Sequence, residues 1–253
     1  MTAWQAIGLD ELVRRAALMT RIDRKYLLPV AELVPVLDGL DGVRILDIDG
    51  RREFAYRTVY FDTPELSSYL ATARGRRRRF KVRIRTYVDT GAQFLEVKTR
   101  DGRGSTVKHR TPYDDERLDR HARAYTQAVL HGAGISLDPG RFRPTLTTYC
   151  RRTSLFVPAA GSRVTVDVGL AWALPGGPVA QLPDRAILET KADRAASGVD
   201  RLLWSLNRRP CSVSKYGTGL AALRSELPAN RWHPVLRRHF GALAHTTTIT
   251  SGS

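Results

Sequence analysis

Acidic residues are in short supply: 25 Asp and Glu stand against 41 Lys and Arg, a formal net charge of +16 over 253 residues. That imbalance disfavours a basic partner. It predicts an anionic one, whether nucleic acid, a membrane surface or a phosphate-rich small molecule. Cysteine is scarcer still. Cys150 and Cys211 are the only two, which excludes a disulfide framework or a cysteine-based zinc site and is compatible with a reducing compartment. No apolar run approaches the roughly 18 residues a membrane span needs, and no secretory leader is evident. The expectation is a cytoplasmic protein without a membrane segment. A glycine-rich phosphate loop and a dinucleotide fingerprint are both missing, as is any internal repeat. His109, His131, His233, His239 and His245 lack ligand spacing with acids and read as surface residues.

What the chain does have is a set of strands with one charged row each. Phe80 to Tyr87 separates with period two into Phe80, Val82, Ile84 and Thr86 on one side and Lys81, Arg83, Arg85 and Tyr87 on the other. Later segments repeat the pattern. Glu96 and Lys98 share a face, as do Arg163, Thr165 and Asp167, and as do Glu189 and Lys191. If these strands share a sheet, their rows form a field of cations holding a few carboxylates.

In chain order, Leu9 to Leu18 has helical spacing, and Arg21 to Leu28 reads as a strand. Pro29 suits the first turn of a short helix that stops near Gly39. Arg44–Ile48 and Phe54–Phe61 read as strands paired around an Asp49-Gly50 turn. Asp62-Thr63-Pro64 begins a turn or short helix, and Arg76-Arg77-Arg78-Arg79 reads as a solvated loop. A hairpin loop at 101–105 joins the Glu96 strand to Thr106–Arg110. Asp115 to Leu130 has the strongest helical pattern, ended by His131-Gly132. Arg141 to Leu155 is extended, with Tyr149, Arg151 and Thr153 on one face. Pro175 to Pro178 forms a turn. A helix follows at Val199–Leu206, then a bend at Ser214–Gly217 and a last helix near Leu220–Leu227.

Many strands without regular strand–helix alternation predict an α+β chain, mainly antiparallel β with flanking helices. We read residues 1–243 as one domain with an N-terminal helix, and 244–253 as a flexible tail. A flat sheet would put the charged face in water, whereas a closed barrel would turn it inward around a ligand. An inward face requires a wet lumen and a polyanion, since each desolvated ion costs several kcal/mol, on the order of the effective penalties for buried charges.

The motif order resembles the catalytic domain of the vacuolar transporter chaperone (VTC) polyphosphate polymerases, a branch of the triphosphate tunnel metalloenzymes. The resemblance rests on Arg21-x-Asp23-x-Lys25-Tyr26, Tyr60-Phe61-Asp62-Thr63, Lys81-Val82-Arg83-Ile84-Arg85-x-Tyr87, Glu96-Val97-Lys98, Lys108-x-Arg110, Tyr149-x-Arg151, Arg163 to Asp167, Glu189-x-Lys191 and Ser214-Lys215-Tyr216. It covers about residues 20 to 220.

That resemblance implies a closed eight-stranded antiparallel barrel with a basic lumen. It also implies an enzyme that transfers the γ-phosphate of ATP to a growing polyphosphate chain with Mn²⁺ or Mg²⁺. Phosphate-binding roles carry over to Lys25, Arg83, Arg85, Lys98, Arg151 and Arg163, with Lys108 and Lys191 beside them, and Lys215 matches the late phosphate-contacting lysine. Glu189 matches the metal-binding glutamate, with Glu96 and Asp167 as further candidates for the metal or for orienting the cations. The implied partners are ATP and polyphosphate or pyrophosphate rather than nucleic acid.

Phosphoryl transfer asks for positioning and charge neutralisation more than for covalent work by the protein. Arginine supplies a planar fork for two phosphate oxygens, and lysine a mobile point charge. The hydrolase branches of the superfamily carry two glutamates ahead of the first lysine. Here that strand has one acid, Asp23, which favours the polymerase branch. Two alternatives stay open: a metal-dependent inorganic or nucleoside triphosphatase, and a non-catalytic polyphosphate or polyanion binder.

Overall fold

The alternation seen in the sequence becomes real strands in the computed structural model, which describes residues 4–15, 22–102, 105–160, 162–192 and 195–241. The chain begins with β1 (Gln5–Ile7), α1 (Leu9–Arg15), β2 (Ile22–Pro29), a short 3-10 turn and α2 (Leu33–Asp38). It continues with β3 (Arg44–Leu46), β4 (Glu53–Asp62), α3 (Ser67–Ala73), β5 (Arg79–Tyr87), β6 (Gln93–Arg100) and β7 (Thr106–Tyr113). Next come α4 (Arg120–Gly132), β8 (Arg143–Val157), β9 (Ser162–Ala173), β10 (Val179–Leu182) and β11 (Arg185–Ala192). Then follow α5 (Gly198–Ser205), α6 (Lys215–Leu223) and a final helical segment, His233–Val235 with Leu236–Phe240. Among the described residues, no helix is long and apolar enough to cross a membrane.

These elements form two compact units. The first draws on Met1–Ala55, Cys150–Leu170 and Leu182–Val213, and the second on Tyr56–Tyr149, Ala171–Gln181 and Ser214–Ser253.

In the first unit, β11 lies antiparallel between β2 and β9. Their alternate residues Tyr26, Leu28, Val164, Val166, Ala186 and Leu188 pack with Val36 and Leu37 of α2 and Val199 and Leu203 of α5. Each such apolar side chain contributes about 1.5–3 kcal/mol on full burial. The core is reinforced by a polar knot. Asp200, 0% exposed, accepts from Tyr26 Oη at 2.7 Å, Thr190 Oγ1 at 2.7 Å and Ser197 Oγ at 2.8 Å. A fully satisfied buried network of this kind is rigid, and here it bolts α5 to both β2 and β11.

In the second unit, β4, β5, β6 and β7 run antiparallel in that order. Val59, Phe61, Phe80, Val82, Ile84, Leu95 and Val97 form the apolar side, covered by Leu118, Ala122 and Leu130. α4 starts at Arg120 rather than Asp115 because Asp119 is its cap, accepting from Ala122 N at 2.7 Å. It ends where Gly134 turns at φ 68° and Ile135 N donates to Leu130 O.

Three expectations are corrected, and one strand is new. The Asp49-Gly50 turn forms, at φ 51° and 79°, and bridges Ile48 to Arg51. It does not make a β3–β4 hairpin, because both edges of β3 are taken by β1 and β8. Ser214–Gly217 is not a bend but the start of α6, with Ser214 Oγ accepting from Gly217 N at 3.1 Å. Strand β10 was not legible at all. Finally, the sheet order is β2-β11-β9-β8-β4-β5-β6-β7, a path with two ends rather than the closed barrel ring. β7, at one end, is largely exposed and contains Pro112, which has no N–H to give to a further strand. The sheet is mainly antiparallel with flanking helices, but among the described residues hydrogen bonds do not close it. Arg21, most of the expected extension of the first helix, and the C-terminal tail lie outside the described residues.

Candidate functional site

The first unit carries its charges on the face of β2, β9 and β11 opposite the α2/α5 core. Register alone places Lys25 beside Glu189, Glu189 beside Thr165, and Lys191 between Asp23 and Arg163. Glu189 Oε1 lies 3.4 Å from Lys25 Nζ and 3.5 Å from Lys191 Nζ. Burial would raise the Glu189 carboxyl, but Lys191, Lys25 and Arg152 outweigh it and hold the pKa well below the usual carboxylate range. Lys191, 15% exposed, is pushed by burial to about 8 although Glu189 opposes the shift. Asp167 is 2% exposed and takes both Nε and Nη2 of Arg152, at 2.6 and 2.7 Å. Four cations and three carboxylates thus share this face, and the balance is nearly even.

The second unit is different. Its β5–β6–β7 register sets Lys81 beside Lys98 beside Lys108, and Arg83 beside Glu96 beside Arg110. Arg85 stands two residues along the same face. Glu96 is the lone carboxylate among these, 1% exposed, and Arg83, Arg85 and Lys108 converge on it. Arg83 approaches its Oε2 through Nη2 at 2.6 Å and Nε at 2.7 Å, and Lys108 Nζ reaches Oε1 at 2.5 Å. Arg85 Nη1 is 3.9 Å from Oε2. Burial would raise the Glu96 pKa, yet Arg83, Arg85 and Lys108 hold it far below the usual value. The same burial pushes Lys108 down to about 8, with Arg83 and Arg85 adding to the shift and Glu96 resisting it.

Aromatic rings and a helix end fix these cations in place. Arg83 Nη1 donates to Tyr60 Oη at 3.3 Å, Tyr60 stacks on Tyr216 at 5.0 Å between centroids, and Tyr216 Oη donates to Asp62 at 2.6 Å. Asp62 also accepts from the backbone of Thr63, Ser68 and Tyr69, so it anchors the start of α3, the turn expected there. Lys81 Nζ donates to Ser214 Oγ at 3.0 Å, which brings the row to the first turn of α6 and its first residue, Lys215. Arg85 and Arg110 stack over Tyr56 and Phe94.

The sequence-derived candidates therefore fall into two groups. Lys25, Arg163, Lys191, Glu189 and Asp167 meet in the first unit, while Arg83, Arg85, Lys98, Lys108, Glu96 and Lys215 belong to the second. Arg151 joins neither group. It is exposed and pairs with Glu53 at 2.7 Å. Its neighbour Arg152, which sequence reading passed over, is the one that faces Asp167 and Glu189. Nothing local separates two adjacent arginines; only the pleat does. Lys81 was visible in the same alternation as Arg83 and was left out.

Among the described residues, no three His, Cys, Asp or Glu side chains are grouped to hold a metal. Glu189 offers the hard oxygen such an ion prefers, but its cationic neighbours fit a divalent ion only when phosphate oxygens and water supply the other ligands.

The VTC domain family model matches residues 20–224. No curated protein matches the chain. Among solved structures it is similar to the putative adenylyl cyclase HpAC1 from Hippeastrum, described as having a dominant triphosphatase activity. That match has 17% identity and a TM-score of 0.45, over 84% of this chain and 100% of that one. A conserved hypothetical protein from Pyrococcus furiosus matches at 12% identity and TM-score 0.40, over 74% and 88%. The PH1819 protein from Pyrococcus horikoshii matches at 12% and 0.39, over 86% and 99%.

Proposed function

Because this chain belongs to the VTC domain family, we propose that it is a phosphoryl-transfer enzyme of linked phosphates, a polyphosphate polymerase that moves the γ-phosphate of ATP onto a growing chain. The observation that carries the reading is the row of Lys81, Arg83, Arg85, Lys98, Lys108 and Arg110 around the single carboxylate Glu96. Same-face residues along a strand repeat about every 6.7 Å, so the row offers charge along a line, as a phosphate chain does.

Glu96 does not neutralise this row. It holds the Arg83 fork and the Lys108 ammonium in fixed orientation, so less ordering is left for the moment of reaction. The oxygen of the acceptor's terminal phosphate attacks the γ-phosphorus, the bond to the bridging β–γ oxygen breaks, and ADP leaves. The arginines and lysines hold the two phosphates in line and spread the transferring charge, and no protein nucleophile is needed. In the first unit Glu189 is the residue that would hold Mn²⁺ or Mg²⁺, together with phosphate oxygens. Such an ion, when bound, would supply charge neutralisation to phosphate oxygens held in that unit. Arg152 and Lys191 keep Glu189 ionised.

A second reading, a binder of polyphosphate without catalysis, is favoured by the same excess of cations around Glu96, which would hold a polyanion whether or not a phosphate is transferred. Incubation of the protein with ATP and Mn²⁺ or Mg²⁺, followed by phosphorus NMR, separates the readings. Internal-phosphate signal growing with ADP is the expected result. Orthophosphate alone would make the protein a triphosphatase, and unchanged ATP with tight polyphosphate binding would leave the binder.

A further inference from the structure

Arg76, Arg77 and Arg78 are exposed, as expected of a solvated loop, and the run enters β5 at Arg79. Arg76, Arg77 and Arg79 line a cavity of about 410 Å³ together with Arg100, Arg231 and one acid, Asp101. All six belong to the second unit. Among the described residues none of the five guanidiniums forms an ion pair. Burial, and then the charges of Arg100 and Arg231, push the Arg79 pKa below its ordinary value. Like charges gathered this closely cost stability unless an anion offsets them.

The cluster is held by the framework. Arg79 and Arg100 are a register pair at the end of the β5–β6 ladder. Gly75, at φ 65°, turns the chain out of α3 so that Arg76 and Arg77 flank that pair. Arg231 precedes Trp232, which is 1% exposed and packs 5.2 Å from Tyr69. Three separate stretches of chain thus aim arginines at one space.

This space continues the charged row. Arg79 shares the pleat face of Lys81, Arg83 and Arg85, and Arg100 that of Lys98 and Glu96. From Arg85 to Arg79 the strand advances about 20 Å. A triphosphate is far shorter than that, whereas a long phosphate chain is not. We infer that the arginine pocket is a second phosphate site, one that takes the distal part of a linear condensed phosphate whose near part lies on the Lys81–Arg83–Arg85 row. This inference rests on the reading of that row as a phosphate site.

The test compares tripolyphosphate with long-chain polyphosphate by titration calorimetry on the full chain. One variant combines Arg76→Gln, Arg77→Gln and Arg231→Gln, all exposed positions, and a second carries Arg83→Gln in the row; thermal melts check that both remain folded. The pocket variant is expected to lose about tenfold in long-chain affinity, as for loss of a few charge-assisted contacts. Its tripolyphosphate affinity stays unchanged, while Arg83→Gln weakens both ligands. Unaltered long-chain binding in the pocket variant would overturn the second site, and so would an equal loss for both ligands, which would place those arginines within the row. An equal pocket-dependent loss for single-stranded DNA would overturn the assignment to condensed phosphate. Failure of the wild type to bind tripolyphosphate would instead bring down the reading of the row, and the pocket inference with it.

Discussion

Arg152 grips Asp167 through two parallel bonds, Nε to Oδ1 at 2.6 Å and Nη2 to Oδ2 at 2.7 Å, in a part of the first unit where Asp167 is 2% exposed. Removing one partner leaves a buried charge without its counter-ion. Arg152→Ala should therefore cost about 3–5 kcal/mol of stability. The adjacent Arg151, exposed beside Glu53, should cost no more than about 1 kcal/mol on the same change. Chemical denaturation of the two variants decides the matter, and equal losses would mean the pleat assignment is wrong.

Lys108 and Lys191 are each pushed to about 8 by burial. Both are charged below that value and lose charge above it, so phosphate affinity should fall as pH rises through 8. Lys108→Arg keeps the charge and should flatten part of that decline. The stability of the free protein moves the other way for these two groups. Between about 8 and the ordinary lysine value near 10.4, the unfolded chain holds more protons, so their contribution to stability rises with pH. Binding isotherms at neutral and alkaline pH would test the first claim. A pH-independent affinity in the wild type would refute it.

Gly217 and Gly219 let α6 pack against two indoles. A Cβ on Gly219 would sit 2.0 Å from Trp172 Cδ1, and one on Gly217 would sit 2.2 Å from Trp232 Cζ2. Trp172 is further tied by its Nε1 donating to the Lys215 carbonyl at 2.8 Å. Gly219→Ala should destabilise by about 1–3 kcal/mol through overpacking, despite alanine's better helix propensity. A thermal melt at or above the wild-type midpoint would contradict the close approach.

Glu189→Gln separates metal chemistry from phosphate binding. Removing a carboxylate from between Lys25 and Lys191 should leave metal-free tripolyphosphate affinity equal or higher. Metal-dependent turnover should fall by roughly a hundredfold or more, since even outer-shell partners of metals cost 10–100-fold. Parallel loss of metal-free binding and turnover would assign Glu189 to holding the fold instead.

Much of the site was legible because period-two alternation is a local property. Phe80, Val82 and Ile84 had to be buried together, so Lys81, Arg83 and Arg85 had to share the other face, and they do. The Glu-x-Lys strands behaved the same way. Caps were less legible. The helix after Asp119 was read too early, at Asp115, and the one after Ser214 was hidden by Gly217 and Gly219, which are poor helix formers.

By itself, then, the amino-acid order determined the charge excess, the strands with charged faces and the family, since each depends on neighbours a few residues apart. Only the tertiary structure decided the rest. It chose Arg152 over Arg151, because the phase of a pleat is set by what packs behind it. Among the described residues it left the strand order with two ends at β2 and β7, where β7 is exposed and its Pro112 has no N–H for a further ladder. It gathered Arg79, Arg100 and Arg231 around one space, because residues far apart in the chain meet only where the packed sheet and Trp232 bring them together.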